Sequence, residues 1–318
     1  MRIQEIETVA CLGTGVMGHG VAFLVAKAGY FVRMFGRSPQ SVAKGFAGID
    51  RIIALYEDNG LMPKREGKEI RGRIIGMTDL EKASDGVDMV LESLAEDLNI
   101  KQQCLALAEA HCRPEAVIAT NTSSLSLSDI SRRLARPENF LGLHFFSPPY
   151  LMPPVEVTPV ASTLHAVREL GARWVESLGN APIPLETELQ GFIVNRIQVA
   201  CLREALYIVE QGWASAETVD KAVSLSLGRR YAVSGPIESA DMGGLDVFNT
   251  VLTQLSPVLS SRTEPSPIVA DALKKGNLGL KSGKGIYDWS SERISARNSA
   301  REQMLIEFMK QDITNNKK

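Results

Sequence analysis

Three short stretches of this 318-residue chain place chemically capable side chains where apolar runs end. The first is His144-Phe145-Phe146-Ser147-Pro148-Pro149, with Glu156 following inside Val155-Glu156-Val157. A carboxylate flanked by apolar residues in a strand-like run is costly to bury unless it is paired, and a histidine is a suitable partner. Such a pair can move a proton near neutral pH, where imidazole is the side chain that titrates. Taken alone, a histidine followed by aromatic residues reads first as a packed structural residue. The second stretch, Thr120-Asn121-Thr122-Ser123-Ser124, also follows a strand. Its hydroxyls are therefore expected at the carboxyl edge of a sheet, where ligands of α/β proteins bind. Alone, such a cluster is more often a turn or a helix cap, and Ser126 or Ser128 can cap the helix that follows.

The third stretch is Gly13-Thr14-Gly15-Val16-Met17-Gly18, between a strand and a helix. That context turns G-x-G-x-x-G into a dinucleotide-binding signal. Gly13 permits a tight turn, Gly15 lets the backbone approach a pyrophosphate and Gly18 lets helix and sheet pack closely. The phosphates would lie at the positive end of the helix that Val16 and Met17 open. An NAD site of this kind usually ends its second strand with an acid that binds the ribose 2′-hydroxyl. Here that strand ends in Gly36-Arg37-Ser38, a cation and a hydroxyl in place of the acid. The expected cofactor is NAD(P), with a lean toward NADP through Arg37 and Ser38.

These stretches need a frame to bring them to one edge. Short β-branched or apolar runs alternate with helical stretches: Thr8–Leu12, a helix from Val16, Phe31–Phe35, long helical stretches to about Arg73, then Met89–Glu92. The rhythm continues with a helix at Leu98–His111, strands at 116–119 and 140–144, a helix over 163–178 and the run 181–185. This βαβ repetition implies a parallel sheet, so a Rossmann-like doubly wound α/β domain is expected over 1–187. From Phe192 apolar residues recur at helical spacing, as in Ile193, Ile197, Ala200, Cys201, Ala205 and Ile208, and an all-α domain is expected over 188–318. The last fifteen or so residues are expected to fray.

Composition sets the outer limits. Hydrophobic residues are 44% and charged residues 23%, with a net charge of -2, the balance of a soluble globular protein and without the basic excess of a nucleic-acid binder. No apolar run reaches membrane-span length, and no signal-like segment precedes the first strand, so a cytoplasmic protein without membrane or nucleic-acid partners is expected. Cys11, Cys104, Cys112 and Cys201 show no C-x-x-C spacing, so no metal site is expected.

From Thr8 to Trp289 the chain resembles the 3-hydroxyacyl-CoA dehydrogenase family. The resemblance is carried by GTGVMG, LESLAEDLNIK (Leu91–Lys101), TNTSSL, HFFSPPYLMPPVEV, GFIVNR (Gly191–Arg196) and LKSGKGIYDW (Leu280–Trp289), in this order and spacing. It implies a Rossmann-like domain followed by a helical domain that makes a homodimer. It implies His144 as catalytic base with Glu156 as its partner, Ser123 and Asn195 on the reacting oxygen, and Glu96, Lys101, Ser123, Ser147 and Lys281 around the nicotinamide cofactor. The implied reaction is hydride transfer between that cofactor and the 3-hydroxy/3-oxo group of a short 3-hydroxyacyl-CoA. Two departures keep other readings open. Ser147 replaces the Asn of the family's HFFNP, and Pro148-Pro149-Tyr150 is closer to carnitine and gulonate dehydrogenases. The stretch where basic residues would greet CoA phosphates reads Ile52–Leu55, then Tyr56-Glu57-Asp58. A dehydrogenase of carnitine, gulonate, a heteroaromatic or another non-CoA hydroxy acid is thus the alternative. A non-catalytic dinucleotide-binding protein resembling lambda-crystallin is the second.

Overall fold

The computed structural model describes residues 2–315. One eight-stranded sheet is built from β1 (Thr8–Leu12), β2 (Phe31–Phe35), β3 (Ile74–Met77), β4 (Met89–Glu92), β5 (Val117–Thr120), β6 (Phe140–Phe145), β7 (Pro154–Pro159) and β8 (Ala181–Pro184). Around it lie α1 (Val16–Lys27), α2 (Pro39–Asp58), α3 (Glu66–Gly72), α4 (Leu80–Ser84), α5 (Leu98–His111), α6 (Leu127–Ser131) and α7 (His165–Ser177). The helices beyond are α8 (Phe192–Glu210), α9 (Ala216–Leu225), α10 (Leu227–Tyr231), α11 (Pro236–Gly243), α12 (Leu245–Leu255), α13 (Pro267–Lys274) and α14 (Ser291–Asn315). No helix among the described residues is long and apolar enough to cross a membrane.

The strand order is β3-β2-β1-β4-β5-β6-β7-β8, so the order reverses at β1 and β4, the kind of switch point at whose carboxyl ends α/β sheets bind ligands. All neighbours are parallel except β6 and β7. The expected doubly wound architecture is therefore present, with one antiparallel pair in it. Strands β4, β5 and β6 are buried along their whole length, which is why each reads as a continuous apolar run instead of an alternation. Val9, Val21, Phe23, Val32, Met89 and Trp174 belong to the larger core on one side of the sheet, and Leu105, Ile118, Ile130 and Phe140 to the core on the other.

Two elements differ from the sequence expectation. Ile74–Met77 forms the edge strand β3, pairing with β2, where only helix and loop were expected. Four residues with a glycine among them give too short a run to be told from a loop. The chain end also differs: α14 continues to Asn315, and Ile306 on it is 4% exposed within the larger core, flanked by Leu305 and Met309. The expected fraying is contradicted as far as Met309, where these apolar side chains are packed; 311–315 continue the helix with exposed side chains, and 316–318 lie outside the described residues.

The chain divides into two compact units, the first running to Ile193 and including the segment from Arg301, the second Val194–Ala300. The second unit is helical apart from a bridged turn in which Lys284 pairs with Gly279 and Asp288. Val219 is the one buried large apolar side chain among its described residues.

Candidate active site

His144 and Glu156 face one another across the antiparallel pair β6/β7, in direct register. The spacing of twelve residues is thus a hairpin spacing, set by the pleat, which puts cross-strand neighbours on one face. Both side chains are buried, and His144 Nδ1 lies 2.7 Å from Glu156 Oε2. A carboxylate can only accept, so the hydrogen of this contact belongs to Nδ1, and in the neutral imidazole Nε2 is then the acceptor. The other carboxylate oxygen, Oε1, accepts the Ile193 backbone N–H at 2.8 Å. The imidazole has two aromatic neighbours: Phe192 stacks on it at 5.0 Å and 21°, and Phe146 is tilted against it at 4.6 Å and 57°. Asn121 Oδ1 accepts the Phe145 N–H at 2.7 Å, tying the end of β6 to the end of β5.

The hydroxyl loop after β5 is organised by Glu96. Its Oε1 accepts from the Thr122 hydroxyl (2.6 Å), the Ser123 and Ser124 N–H groups (3.1 Å each) and the Ser124 hydroxyl (3.0 Å). The Ser123 hydroxyl is 3.5 Å from the same oxygen, at the surface. Lys101, fully buried on α5, donates to Glu92 at 2.8 and 3.0 Å and lies 3.2 Å from Glu96 Oε2. Partial burial pushes the Glu96 carboxyl upward. The Thr122 hydroxyl, the Lys101 charge and the Ser124 hydroxyl outweigh it and bring the pKa down to about 2. Lys101, expected around the cofactor, thus stands beneath Glu96 with its ammonium engaged by two carboxylates.

The glycine loop fits a dinucleotide. Gly13 has φ +123°, and a Cβ there would meet the Ser93 carbonyl oxygen at 2.4 Å; a Cβ on Gly18 would meet the Gly13 carbonyl oxygen at 2.3 Å. Gly15 faces open space and caps α1 with no side-chain hydrogen bond, so the helix end above Val16 and Met17 is left for a phosphate. At the end of β2, Arg37 is exposed and makes no hydrogen bond or ion pair among the described residues. The Ser38 hydroxyl caps α2, accepting from the Ser41 N–H at 3.2 Å, so this hydroxyl already has a structural task.

The remaining expected residues are placed as follows. Ser147 is exposed after β6, its carbonyl accepting from Arg301 Nη2 at 3.2 Å. Asn195 lies in the first turn of α8 and Lys281 in the bridged turn, both in the second unit. No group of metal-ligating side chains occurs among the described residues. Sequence reasoning missed Glu92, Asn121, Phe192 and Glu188. Glu188 accepts from the Leu127 N–H (2.7 Å) and the Ser126 hydroxyl (3.1 Å) and so caps α6 from a distance. A polar residue closing an otherwise apolar strand was the available signal for Glu92. For Phe192 it was the preceding Gly191.

Comparison with known proteins agrees with this arrangement. The model of the 3-hydroxyacyl-CoA dehydrogenase NAD binding domain matches residues 8–188, and that of the family's C-terminal domain matches 191–289. A probable 3-hydroxybutyryl-CoA dehydrogenase of Bacillus subtilis is 30% identical over 91% of this chain and 99% of its own. The 5-formyl-3-hydroxy-2-methylpyridine 4-carboxylate 5-dehydrogenase of Mesorhizobium japonicum is 28% identical over 95% of this chain and 96% of its own. A solved structure of an enzyme of that name, described as an NAD+ dependent dismutase, superposes with a TM-score of 0.88 at 27% identity, covering 95% of this chain and 96% of that one. For the (S)-3-hydroxybutyryl-CoA dehydrogenase of Ralstonia eutropha the TM-score is 0.76 at 28% identity, over 90% of this chain and all of that one. This chain is an oxidoreductase belonging to the 3-hydroxyacyl-CoA dehydrogenase family, with a nicotinamide cofactor.

Proposed function

We propose that this protein transfers a hydride between a nicotinamide cofactor and the hydroxyl- or carbonyl-bearing carbon of a small substrate, with His144 as the base. The observation that carries the reading is the His144–Glu156 pair, 2.7 Å apart, which leaves Nε2 as the proton acceptor. When bound, the cofactor accepts or returns the hydride. Nε2 takes the hydroxyl proton in oxidation and gives it back in reduction, while Glu156 holds the tautomer and offsets the charge of the imidazolium. Ser123 and Asn195 can hydrogen-bond the oxygen both as hydroxyl and as carbonyl, which suits a reversible reaction. A purely structural role has no use for this proton-handling set.

For the cofactor, the reading is a preference for NADP(H), with Arg37 on the 2′-phosphate and no carboxylate at Gly36 to repel it. Gly13, Gly15, Val16, Met17 and Gly18 would hold the pyrophosphate. Glu96, Ser147 and Lys281 would face the nicotinamide end, and Lys101 would act there through Glu96.

For the substrate, family membership favours a short 3-hydroxyacyl-CoA. A specific observation favours a free carboxylic acid, open-chain or heteroaromatic. The pyridine carboxylate enzyme superposes with a TM-score of 0.88, against 0.76 for the (S)-3-hydroxybutyryl-CoA dehydrogenase of Ralstonia eutropha. Glu57 and Asp58, at the end of α2, are also poor company for CoA phosphates. The test is a turnover screen with both cofactors of 3-hydroxybutyryl-CoA and acetoacetyl-CoA against free hydroxy and oxo acids, including a formylpyridine carboxylate. Turnover of a free acid with no response to either CoA ester supports the second reading, and the reverse supports the first. No turnover with either class, despite cofactor binding, would favour a non-catalytic protein.

The helical unit is read as a homodimer interface: Val233, Ile237 and Met242 are 89, 86 and 77% exposed, more apolar surface than a lone unit ordinarily leaves in water. Sedimentation giving a monomer at micromolar concentration would overturn that. A cytoplasmic setting, where nicotinamide cofactors circulate, goes with this reading.

A further inference from the structure

Among the described residues, Phe192 alone combines a side chain other than hydrogen with positive φ, at +52°. A bulky residue in the left-handed region is uncommon and persists only where its surroundings over-determine it. Those surroundings are specific. The Phe192 ring is 3% exposed and lies almost parallel to the His144 imidazole, 5.0 Å between centroids. The next residue, Ile193, gives its N–H to Glu156 Oε1 at 2.8 Å, and Glu156 Oε2 meets His144 Nδ1 at 2.7 Å. Phe192, His144, Glu156 and Ile193 thus form a closed circuit: ring on ring, imidazole to carboxylate, carboxylate to backbone, and one peptide bond back to the start.

An imidazole held by one hydrogen bond can still swing about the axis of that bond. The hydrogen bond fixes the direction of Nδ1, and the stacked ring fixes the plane. Phe146, 4.6 Å away and tilted at 57°, is a second aromatic neighbour of the imidazole. A right-handed backbone at position 192 would turn the ring and the Ile193 N–H away from these partners together, because both directions follow from the same two dihedrals. We infer that Phe192 is a positioning residue for His144, and that its left-handed backbone presents the ring to the imidazole and the following amide to Glu156 at once.

The kinetic part of the test rests on His144 being the base; the spectroscopic part does not. The chain has four histidines, so their imidazole C–H resonances are few enough to assign by single substitution. In the wild type the His144 signals should be displaced upfield by the stacked ring. Phe192→Leu, close in volume but without a ring, should return them toward the ordinary position and lower kcat about ten- to a hundredfold, the scale of a misplaced reacting group. The KM for the cofactor should stay within about twofold, since the glycine loop is untouched. Phe192→Tyr should keep the upfield signals and most of kcat. His144 signals that do not move in a folded Phe192→Leu protein overturn the inference. So does a kcat unchanged in Phe192→Leu. Signals that move while no substrate is turned over by any variant uphold the stacking and count against the proposed reaction instead.

Discussion

Lys101 donates to both oxygens of Glu92, at 2.8 and 3.0 Å, in a place where neither side chain meets water. Its ammonium also stands 3.2 Å from Glu96, so one cation holds two carboxylates, and through the second of them the loop of Ser123. Removing one partner of a buried ion pair leaves an uncompensated charge, which costs more than the intact pair contributes. Lys101→Met should therefore destabilise the fold by about 3–5 kcal/mol in urea unfolding. Glu92→Gln in the same chain should recover part of that loss. A Lys101→Met protein within about 1 kcal/mol of wild type, the range of exposed pairs, would show that the charges relax into solvent.

Acid should loosen the same network. The Glu96 carboxyl titrates at about 2 in the folded chain against 4.5 ordinarily. Its folded pKa is depressed, so its contribution is present above about 4.5 and is lost as pH falls toward 2. Over that window, stability should fall less steeply in Glu96→Gln than in the wild type. Parallel curves of unfolding free energy against pH would disprove the assignment.

His144→Gln should keep its fold and its binding of reduced cofactor, followed by fluorescence, while turnover drops roughly two to four orders of magnitude. Glu156→Gln should lose activity too, more mildly. Its amide can still accept from the Ile193 N–H, but its NH2 can donate to Nδ1 and so favour the tautomer with hydrogen on Nε2. A His144→Gln enzyme with near-normal turnover would remove the base from the scheme.

Cofactor choice is best probed at Arg37 alone. A carboxylate at Gly36 is a poor probe, because a Cβ there would meet Ser41 Oγ at 2.6 Å and Thr14 Cγ2 at 2.8 Å and disturb the cap of α2. Arg37→Ala should lower kcat/KM with NADPH by about one to two orders of magnitude and leave NADH nearly unchanged, the worth of a charge-assisted hydrogen bond. A wild type that prefers NADH, or a ratio that Arg37→Ala does not move, would show that this guanidinium only meets solvent.

The parts of this site that were legible in the sequence are those that a local rule decides. Gly13, Gly15 and Gly18 follow a buried strand and open a helix, and that context alone places them. The buried strands β1, β4 and β6 read as apolar runs because both faces of the sheet are covered. What stayed hidden depends on partners far along the chain. The resemblance pairs His144 with Glu156, but nothing local says that they face one another across β6/β7, since that depends on the antiparallel register. The resemblance implies Lys101 around the cofactor, but its pairing with Glu92, nine residues earlier at the end of β4, has no local signature. The backbone turn at Phe192 has no signature beyond the glycine before it, and β3 was too short to register.

Ile306 lies more than a hundred residues beyond the rest of the core it joins. The first unit's strands are all made by residue 184, yet its packing is finished only by α14. On the ribosome, that unit must therefore wait, with the place of Ile306 uncovered, while the whole of Val194–Ala300 is synthesised. Any shortening or fusion that detaches the chain after Ala300 would leave a greasy gap in the nucleotide-binding half, far in sequence from the cut.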